Sequence, residues 1–185
     1  MTKIDATEPL KRYYEVVWQA RDIKHMVLIK TLIYTGVKVQ ELVNIKIDDI
    51  DFAKCQIRIS HEKEKKDRTV LFPESFREIF MMYVKAESQN GKIYLFESNR
   101  KMAFTARGIR KILANYSKEA GMQQSLSPNK LRHFLLNWLK KQGIDDGLIQ
   151  PYSGHKSRQS LEIYSKASLA DAQKVYSKAI KKFPI

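Results

Sequence analysis

Five short segments of the sequence carry side chains that could hold a phosphate or attack it. Two lie in the first half, at residues 34–42 and in the lysine-rich stretch 63–73. Three lie in the second half, at residues 127–133, 153–157 and 161–164. Arginine, lysine and histidine donate charged hydrogen bonds to phosphate oxygens, and a tyrosine hydroxyl can act as a nucleophile. Each segment alone is a weak signal, because such residues often occur together by chance.

The charge balance of the chain points towards an anionic partner. The sequence has 34 Lys and Arg against 20 Asp and Glu, which gives a formal net charge of +14. Such an excess destabilises a compact state by self-repulsion unless an anion offsets it, and nucleic acid is the commonest large polyanion in a cell. The basic residues cluster at 63–68, 107–111, 130–132 and 178–182, between apolar runs. A packed scaffold could gather them on one face, which favours DNA or RNA over a merely basic surface.

Composition and length indicate one globular domain of 185 residues. The single Cys55 cannot form an intrachain disulfide, and no Cys/His cluster has the spacing of zinc ligands, so structural zinc is not expected. The N-terminus lacks the apolar core of a secretory signal, and the most apolar run, 26–29, meets Lys30 far short of a membrane-spanning length. We therefore expect a reduced, cytoplasmic protein without a membrane segment.

The positions of apolar residues predict the elements that must hold these segments. Helical spacing predicts helices over 10–20, 22–35, 39–45, 74–87, 105–119, 128–141, 145–151 and 158–181. Alternation predicts two antiparallel strands, 55–60 and 68–72, joined by the polar stretch 61–67. Gly36 is suited to the C-terminal cap of the second helix. The prediction is a single domain, 1–185, of the α+β class, mainly α with a small antiparallel sheet.

Together and in this order, the five segments resemble the catalytic domain of the tyrosine recombinases, the phage integrase family. His155 lies 23 residues after Arg132, and Tyr164 lies 9 residues after His155, and both intervals look like those of the family. The resemblance covers roughly residues 20–170. It implies the tyrosine recombinase catalytic-domain fold. It also implies an enzyme that breaks and rejoins double-stranded DNA at specific sites, for integration, excision or inversion.

The resemblance also implies roles for three residues of the second half. Tyr164 would be the nucleophile, Arg132 the clamp on the scissile phosphate, and His155 a hydrogen-bond donor that helps to handle the proton. The transition state carries extra charge on the non-bridging oxygens, which positioned cations stabilise without a metal. Linkage of Tyr164 to the 3′ phosphate would store the bond energy, so that a second strand is joined without a cofactor.

Two residues of the first half take supporting roles by the same resemblance. Lys63 matches the lysine that protonates the 5′ oxygen as it leaves, although Lys65 and Lys66 are close enough to be alternatives. Glu41, three residues after Lys38, resembles an acidic residue that braces the active site from behind the groups that touch DNA.

Two positions depart from the pattern of the family. Lys38 stands where the family has its first arginine, which keeps the charge but loses the two-pronged fork. Asn129, three residues before Arg132, stands where the family usually has His or Lys; it can donate a hydrogen bond but cannot carry a proton, and Lys130 is the neighbouring alternative. These departures keep open a second hypothesis, a catalytically impaired integrase-like module that binds DNA in a regulatory or architectural role.

Three further expectations concern metals and partners. The acidic group Asp48, Asp49 and Asp51 could suggest a metal-dependent nuclease, but it falls at a structural turn of the family, so no metal site is expected. The basic amphipathic stretch 168–182 resembles a family tail that docks on a neighbouring protomer. The resemblance therefore implies self-association in a tetrameric synapse on nucleoid DNA. Accessory directionality factors are expected as further partners. The usual N-terminal core-binding domain of the family is expected to be absent, either from a short family member or from a catalytic fragment.

Overall fold

The computed structural model describes residues 7–60, 67–98, 102–144 and 166–185. Within these ranges the chain forms helices and a small antiparallel sheet, as predicted, and one 3-10 turn. The helices are α1 (Thr7–Gln19), α2 (Ile23–Thr35), α3 (Val39–Asn44), α4 (Glu74–Gln89), α5 (Ala106–Glu119), α6 (Pro128–Lys141) and α7 (Lys166–Ile180). The strands are β1 (Ile50–Asp51), β2 (Gln56–Ile59) and β3 (Arg68–Leu71), and the 3-10 turn is Ile47–Asp49.

Helix α2 is the central element and packs against α1, α4 and α6. It is apolar on most sides, as a helix surrounded by others must be, and nine of its residues are buried. The Asp22 side chain accepts a hydrogen bond from the His25 N–H and so caps the start of the helix. Gly36 ends the helix with φ +61° and donates its N–H to the Leu32 carbonyl. The predicted helix over 22–35 and its glycine cap are thus confirmed.

The sheet has the order β1-β2-β3, with both pairs antiparallel. Ile57 lies opposite Val70, and Ile59 lies opposite Arg68. The two isoleucines are buried while Arg58 between them is exposed, which is the alternation that predicted the hairpin. The two-residue strand β1 was not predicted because it is too short and too polar to show a period.

Helix α4 carries part of an aromatic cluster that fills the space behind the sheet. The Phe76 and Phe80 rings stack with centroids 4.7 Å apart, and Phe72 at the end of the hairpin meets Phe80 edge to face at 5.3 Å. Pro73 precedes the helix, where its fixed φ suits a helix start. The helix runs to Gln89, two residues beyond the predicted range of 74–87, and the N–H of the following Asn90 donates to the Ala86 carbonyl.

The C-terminal segment packs on the core of its own chain. The Tyr176 hydroxyl donates to the Tyr34 carbonyl at 3.0 Å, and the Tyr34 hydroxyl donates to the Ile185 carbonyl at 2.8 Å. Phe183 meets Trp138 of α6 edge to face at 5.5 Å. Helix α7 confirms the later part of the helix predicted over 158–181; its earlier part, and the helix predicted over 145–151, lie outside the described residues.

Lys30 of α2 enters this core among aromatic rings. Its Nζ lies 5.0 Å from the centroid of Tyr14 and 5.7 Å from that of Tyr34, close enough for cation–π attraction. Burial lowers the pKa of the Lys30 ammonium. Across the described ranges, no helix combines the length and the apolar character needed to cross a bilayer.

Candidate active site

Arg132 of α6 is held at the point where α6 crosses the end of α2. Only 6% of its surface is exposed, and its Nη1 donates a hydrogen bond to the Gly36 carbonyl. A Cβ on Gly36 would lie 3.1 Å from Leu135 Cδ2 and 3.7 Å from Arg132 Cγ. Glycine at this position therefore both permits the left-handed turn and lets α6 approach the turn closely. The predicted clamp residue is a buried arginine fastened by a main-chain oxygen.

Glu41 lies in the interior and organises the start of α3. It is 7% exposed, and its Oε2 accepts the Lys38 backbone N–H at 2.7 Å. This bond satisfies an amide at the helix start that has no partner within the helix. The Lys38 side chain is exposed, so the carboxylate fixes the backbone of Lys38 and leaves its ammonium towards solvent.

Arg68 binds both oxygens of the Glu41 carboxylate, and the sequence analysis missed this role. Its Nη1 donates to Oε1 at 3.0 Å and its Nη2 donates to Oε2 at 2.9 Å, which is the fork geometry of a strong arginine–carboxylate pair. A sequence signal was present, because Arg68 shares a strand face with Val70 and Phe72, both of which are buried. A charged residue on an inward-facing strand position needs a buried partner.

The charges of these residues influence one another. Burial lowers the pKa of the Arg132 guanidinium, the nearby positive charge of Arg68 lowers it further, and Glu41 acts in the opposite direction. Burial likewise lowers the pKa of Arg68, against the opposing effect of Glu41. The ordinary pKa of arginine is so high that both groups stay charged at neutral pH. The buried Arg132 and the half-buried Arg68 thus lie near one carboxylate, an excess of positive charge that suits an anionic ligand.

Asn129 lies on the exposed surface of the first turn of α6, three residues before Arg132 and so on the same side of the helix. Lys130, the alternative to Asn129, is directed elsewhere: its Nζ donates to the Ser125 carbonyl at 3.0 Å and to Gln124 Oε1 at 3.3 Å. The loop before α6 therefore holds Lys130. Ser127 caps this helix by accepting the Lys130 N–H at 3.2 Å, which explains why α6 begins where it was predicted.

The remaining predicted catalytic residues, Lys63, His155 and Tyr164, lie outside the described residues, so their roles stay predictions. The structure thus brings Arg132, Arg68 and Glu41 together, and it places the backbone of Lys38 beside them.

Two of the three acidic residues considered for a metal site, Asp49 and Asp51, have other partners. Asp49 Oδ1 accepts from Arg58 Nη2 at 2.8 Å, and its Oδ2 accepts the Lys46 N–H at 2.9 Å. Asp51 Oδ1 accepts the Lys54 N–H at 3.0 Å. In the part of the chain that the structure describes, no group of three or more His, Cys, Asp or Glu residues could hold a metal ion.

Helix α5 presents a basic face next to this site. It packs against α1 and α3 through a buried side that includes Ile109 and Leu113. Arg107, Arg110 and Lys111 near its start are exposed. One of the basic clusters seen in the sequence therefore lies on the surface of a helix that contacts α3, the helix of Glu41.

Known proteins match both the sequence and the fold. The chain is 31% identical over 175 residues to the tyrosine recombinase XerA of Thermococcus kodakarensis, which covers 93% of this chain and 61% of that protein. It is 30% identical over 166 residues to the tyrosine recombinase XerC of Syntrophus aciditrophicus, which covers 85% of this chain and 53% of that protein. The chain spans less than two thirds of the length of these relatives.

The comparison of structures agrees with the comparison of sequences. A crystal structure of XerA recombinase superposes with a TM-score of 0.75 at 29% identity, covering 90% of this chain and 62% of that chain. A structure of the XerH site-specific recombinase bound to its difH substrate superposes with a TM-score of 0.70 at 19% identity, covering 91% of this chain and 48% of that chain, and is similar in fold. The family model described as the phage integrase family matches residues 5–170. The chain belongs to the phage integrase family.

Proposed function

We propose that this chain is the catalytic part of a site-specific DNA recombinase that works through a covalent 3′-phosphotyrosine at Tyr164. The observation that carries the proposal is the buried Arg132, fastened to the Gly36 carbonyl beside the Glu41–Arg68 pair, at the position where the family has its phosphate clamp. A guanidinium whose geometry is fixed in advance stabilises charge that develops on a phosphate without first having to reorganise.

The chemistry follows from the charges of the site. The Tyr164 hydroxyl passes its proton to His155 as its oxygen attacks the scissile phosphorus, while the bond from phosphorus to the 5′ oxygen breaks and Lys63 gives the leaving oxygen its proton; the rejoining step reverses both proton transfers. Arg132 neutralises charge on the non-bridging oxygens, and His155 donates a further hydrogen bond. A 5′ hydroxyl of a second strand then attacks the phosphotyrosine and releases Tyr164, so the number of phosphodiester bonds is conserved. The residues of this scheme need neither a metal nor a cofactor.

The partner in this proposal is double-stranded DNA. The net charge of +14 and the exposed Arg107, Arg110 and Lys111 of α5 support it, because contacts to phosphates supply most of the affinity of a DNA-binding protein. Rejoining strands from two duplexes requires several protomers, so we also propose a tetrameric synapse, assisted by directionality factors. A protein that acts on chromosomal or phage DNA would work in the cytoplasm, associated with the nucleoid.

The test is the formation of a covalent protein–DNA adduct. The protein is incubated with nicked duplexes that tile the DNA adjoining its own gene, and products are separated on a denaturing gel. We expect an adduct that disappears in Tyr164→Phe and persists in Tyr116→Phe, a control whose hydroxyl contacts His25 at 3.0 Å on another helix. Binding without an adduct on any duplex would support the impaired DNA-binding module.

A chelator separates the proposal from the metal-dependent nuclease. We expect the adduct yield to be unchanged in excess EDTA. In the proposed site Arg132 supplies the positive charge and Lys63 supplies the proton, which in a metal-dependent nuclease would come from the metal ion and its bound water. If EDTA abolishes cleavage, and if free DNA ends accumulate when no EDTA is present, the proposal of a recombinase is refuted.

A further inference from the structure

The Glu41 carboxylate can compete with the DNA phosphate for the Arg132 guanidinium. It is buried, it carries one negative charge, and it accepts the Lys38 N–H two residues after the Gly36 carbonyl that binds Arg132. Carboxylates and phosphates both bind arginine through two oxygens, so they compete for the same fork. In the structure both Glu41 oxygens accept from Arg68, and one of them also accepts the Lys38 N–H.

We propose that Arg68 is a positioning residue: its guanidinium occupies the Glu41 carboxylate and so keeps this carboxylate from drawing Arg132 and Lys38 away from the phosphate. The inference rests on the proposed function, because it concerns the same phosphate site. Arg68 stands at the start of β3, five residues after Lys63 in the sequence, and its side chain is only 14% exposed. Its guanidinium is therefore bound to the Glu41 oxygens, and its effect on the phosphate is transmitted through Arg132.

The consequence of losing Arg68 follows from the burial of Glu41. A buried carboxylate whose partner is removed must find another cation or a proton, because an unpaired buried charge is costly. Arg132 and Lys38 are the neighbouring cations of the described residues. In Arg68→Gln the carboxylate would recruit one of them, and the phosphate would lose its clamp although Arg132 itself is unchanged.

A double variant separates this role from a structural one. Arg68→Gln removes one positive charge, and the further change Glu41→Gln removes the rival anion and restores the net charge. If Arg68 keeps Glu41 occupied, the double variant is faster than Arg68→Gln alone. If Arg68 only supports the fold, the second substitution changes the melting temperature but leaves the rate, measured below that temperature, unchanged.

The same hairpin offers a matched control. Arg58 of β2 donates from both Nε and Nη2 to Asp49 Oδ1, at 3.1 Å and 2.8 Å, but its side chain is 60% exposed. The variants Arg58→Gln and Asp49→Asn/Arg58→Gln make the same charge changes at a pair whose carboxylate is 7% exposed but whose arginine lies on the surface. A pair with an exposed arginine contributes little, so these variants report the effect of the charge change away from the site.

The experiment measures adduct formation on a nicked duplex at saturating DNA, below the melting temperature of every variant. We expect Arg68→Gln to be roughly 100-fold slower, the loss typical of one missing transition-state donor. The double variant should recover at least about tenfold, and Arg68→Lys, which keeps a cation beside Glu41, should stay within about tenfold of the parent protein. The Arg58 series should change by less than about threefold. A double variant as slow as Arg68→Gln, or an equally slow Arg58→Gln, would overturn the inference.

A second readout keeps the inference separate from the proposed function. If the parent protein forms no adduct, the function fails, and the salt dependence of binding to the same nicked duplex then tests the role of Arg68. Each lost phosphate contact lowers the magnitude of the salt slope by about one. We expect this decrease in Arg68→Gln and its reversal in the double variant, and equal slopes in all variants would refute it.

Discussion

Replacing Gly36 by alanine tests whether the end of α2 fixes Arg132. Two effects act on this substitution. The backbone has φ +61°, a conformation that costs an L-residue about 1–2 kcal/mol. The new Cβ would also lie 3.1 Å from Leu135 Cδ2, about half an ångström inside the optimal separation of 3.5–4.0 Å. Leu135 lies on α6 one turn after Arg132, so relief of this contact moves the helix that carries the clamp.

Gly91 supplies the matched control for this experiment. It also has a left-handed backbone, with φ +70°, but a Cβ there would meet no atom within 4 Å. Both alanine variants therefore pay the backbone cost, and only Gly36→Ala adds the contact. We expect Gly91→Ala to lower the Tm by about 2–8 °C, since about 1 kcal/mol corresponds to roughly 2–4 °C in a domain of this size. Gly36→Ala should lose about 2–4 °C more if relief of the contact costs about 1 kcal/mol.

The functional assay gives the sharper difference. Adduct formation is measured on a nicked duplex, below the melting temperature of both variants. Misplacement of a catalytic group by about 1 Å costs about 100-fold, so we expect Gly36→Ala to be about tenfold slower and Gly91→Ala to be unchanged. Equal melting temperatures and equal rates for the two variants would refute the claim that the α2 turn positions Arg132.

Two further predictions concern lysines. Lys38→Arg restores the two-pronged fork at an exposed side chain beside the site, and we expect adduct formation about tenfold faster; an unchanged or slower rate in an active protein contradicts a clamp role for Lys38. Lys30→Met removes a charge from among the rings of Tyr14 and Tyr34, and we expect the Tm to rise by about 2–4 °C, which corresponds to about 1 kcal/mol. Burial lowers the pKa of Lys30 in the folded protein below its ordinary value of 10.5 in the unfolded chain. Between the folded and the unfolded pKa the unfolded chain binds more protons, so the free energy of unfolding rises with pH in this range. This part of the pH dependence should vanish in Lys30→Met. A lower Tm in Lys30→Met would show that the ring contacts outweigh the cost of burial.

Most of the helices could be predicted because their apolar residues recur at helical spacing and their ends carry recognisable caps. Helix α6 agrees with the predicted range 128–141 because Ser127 and Pro128 mark its start. Helix α1 begins at Thr7, three residues before the predicted start, because Glu8 and Pro9 are exposed and the apolar period begins only at the buried Leu10. The length of a buried helix is thus easier to predict than the end of an exposed one.

The contacts within the site were harder to predict than the helices. Glu41 was predicted to brace the site, and the structure shows it bound to Arg68 and to the Lys38 backbone, among its contacts. The bond from Arg132 to the Gly36 carbonyl joins residues that are 96 positions apart. Every residue has a carbonyl, so no pattern of side chains indicates which of them will accept such a bond. The side chains thus indicated the chemistry of the site, but the main-chain contact that holds its arginine depends on how two helices cross.

The fastening of the last helix has a consequence for how the protein opens. Chain ends normally fray first, and their amide hydrogens exchange quickly with solvent. Here Tyr34 accepts from Tyr176 through its carbonyl and donates to Ile185 through its hydroxyl, so peeling α7 away would strand two polar groups of the central helix. Unravelling of this end is therefore coupled to opening of the core. The amides of α7 should accordingly exchange at rates close to those of α2.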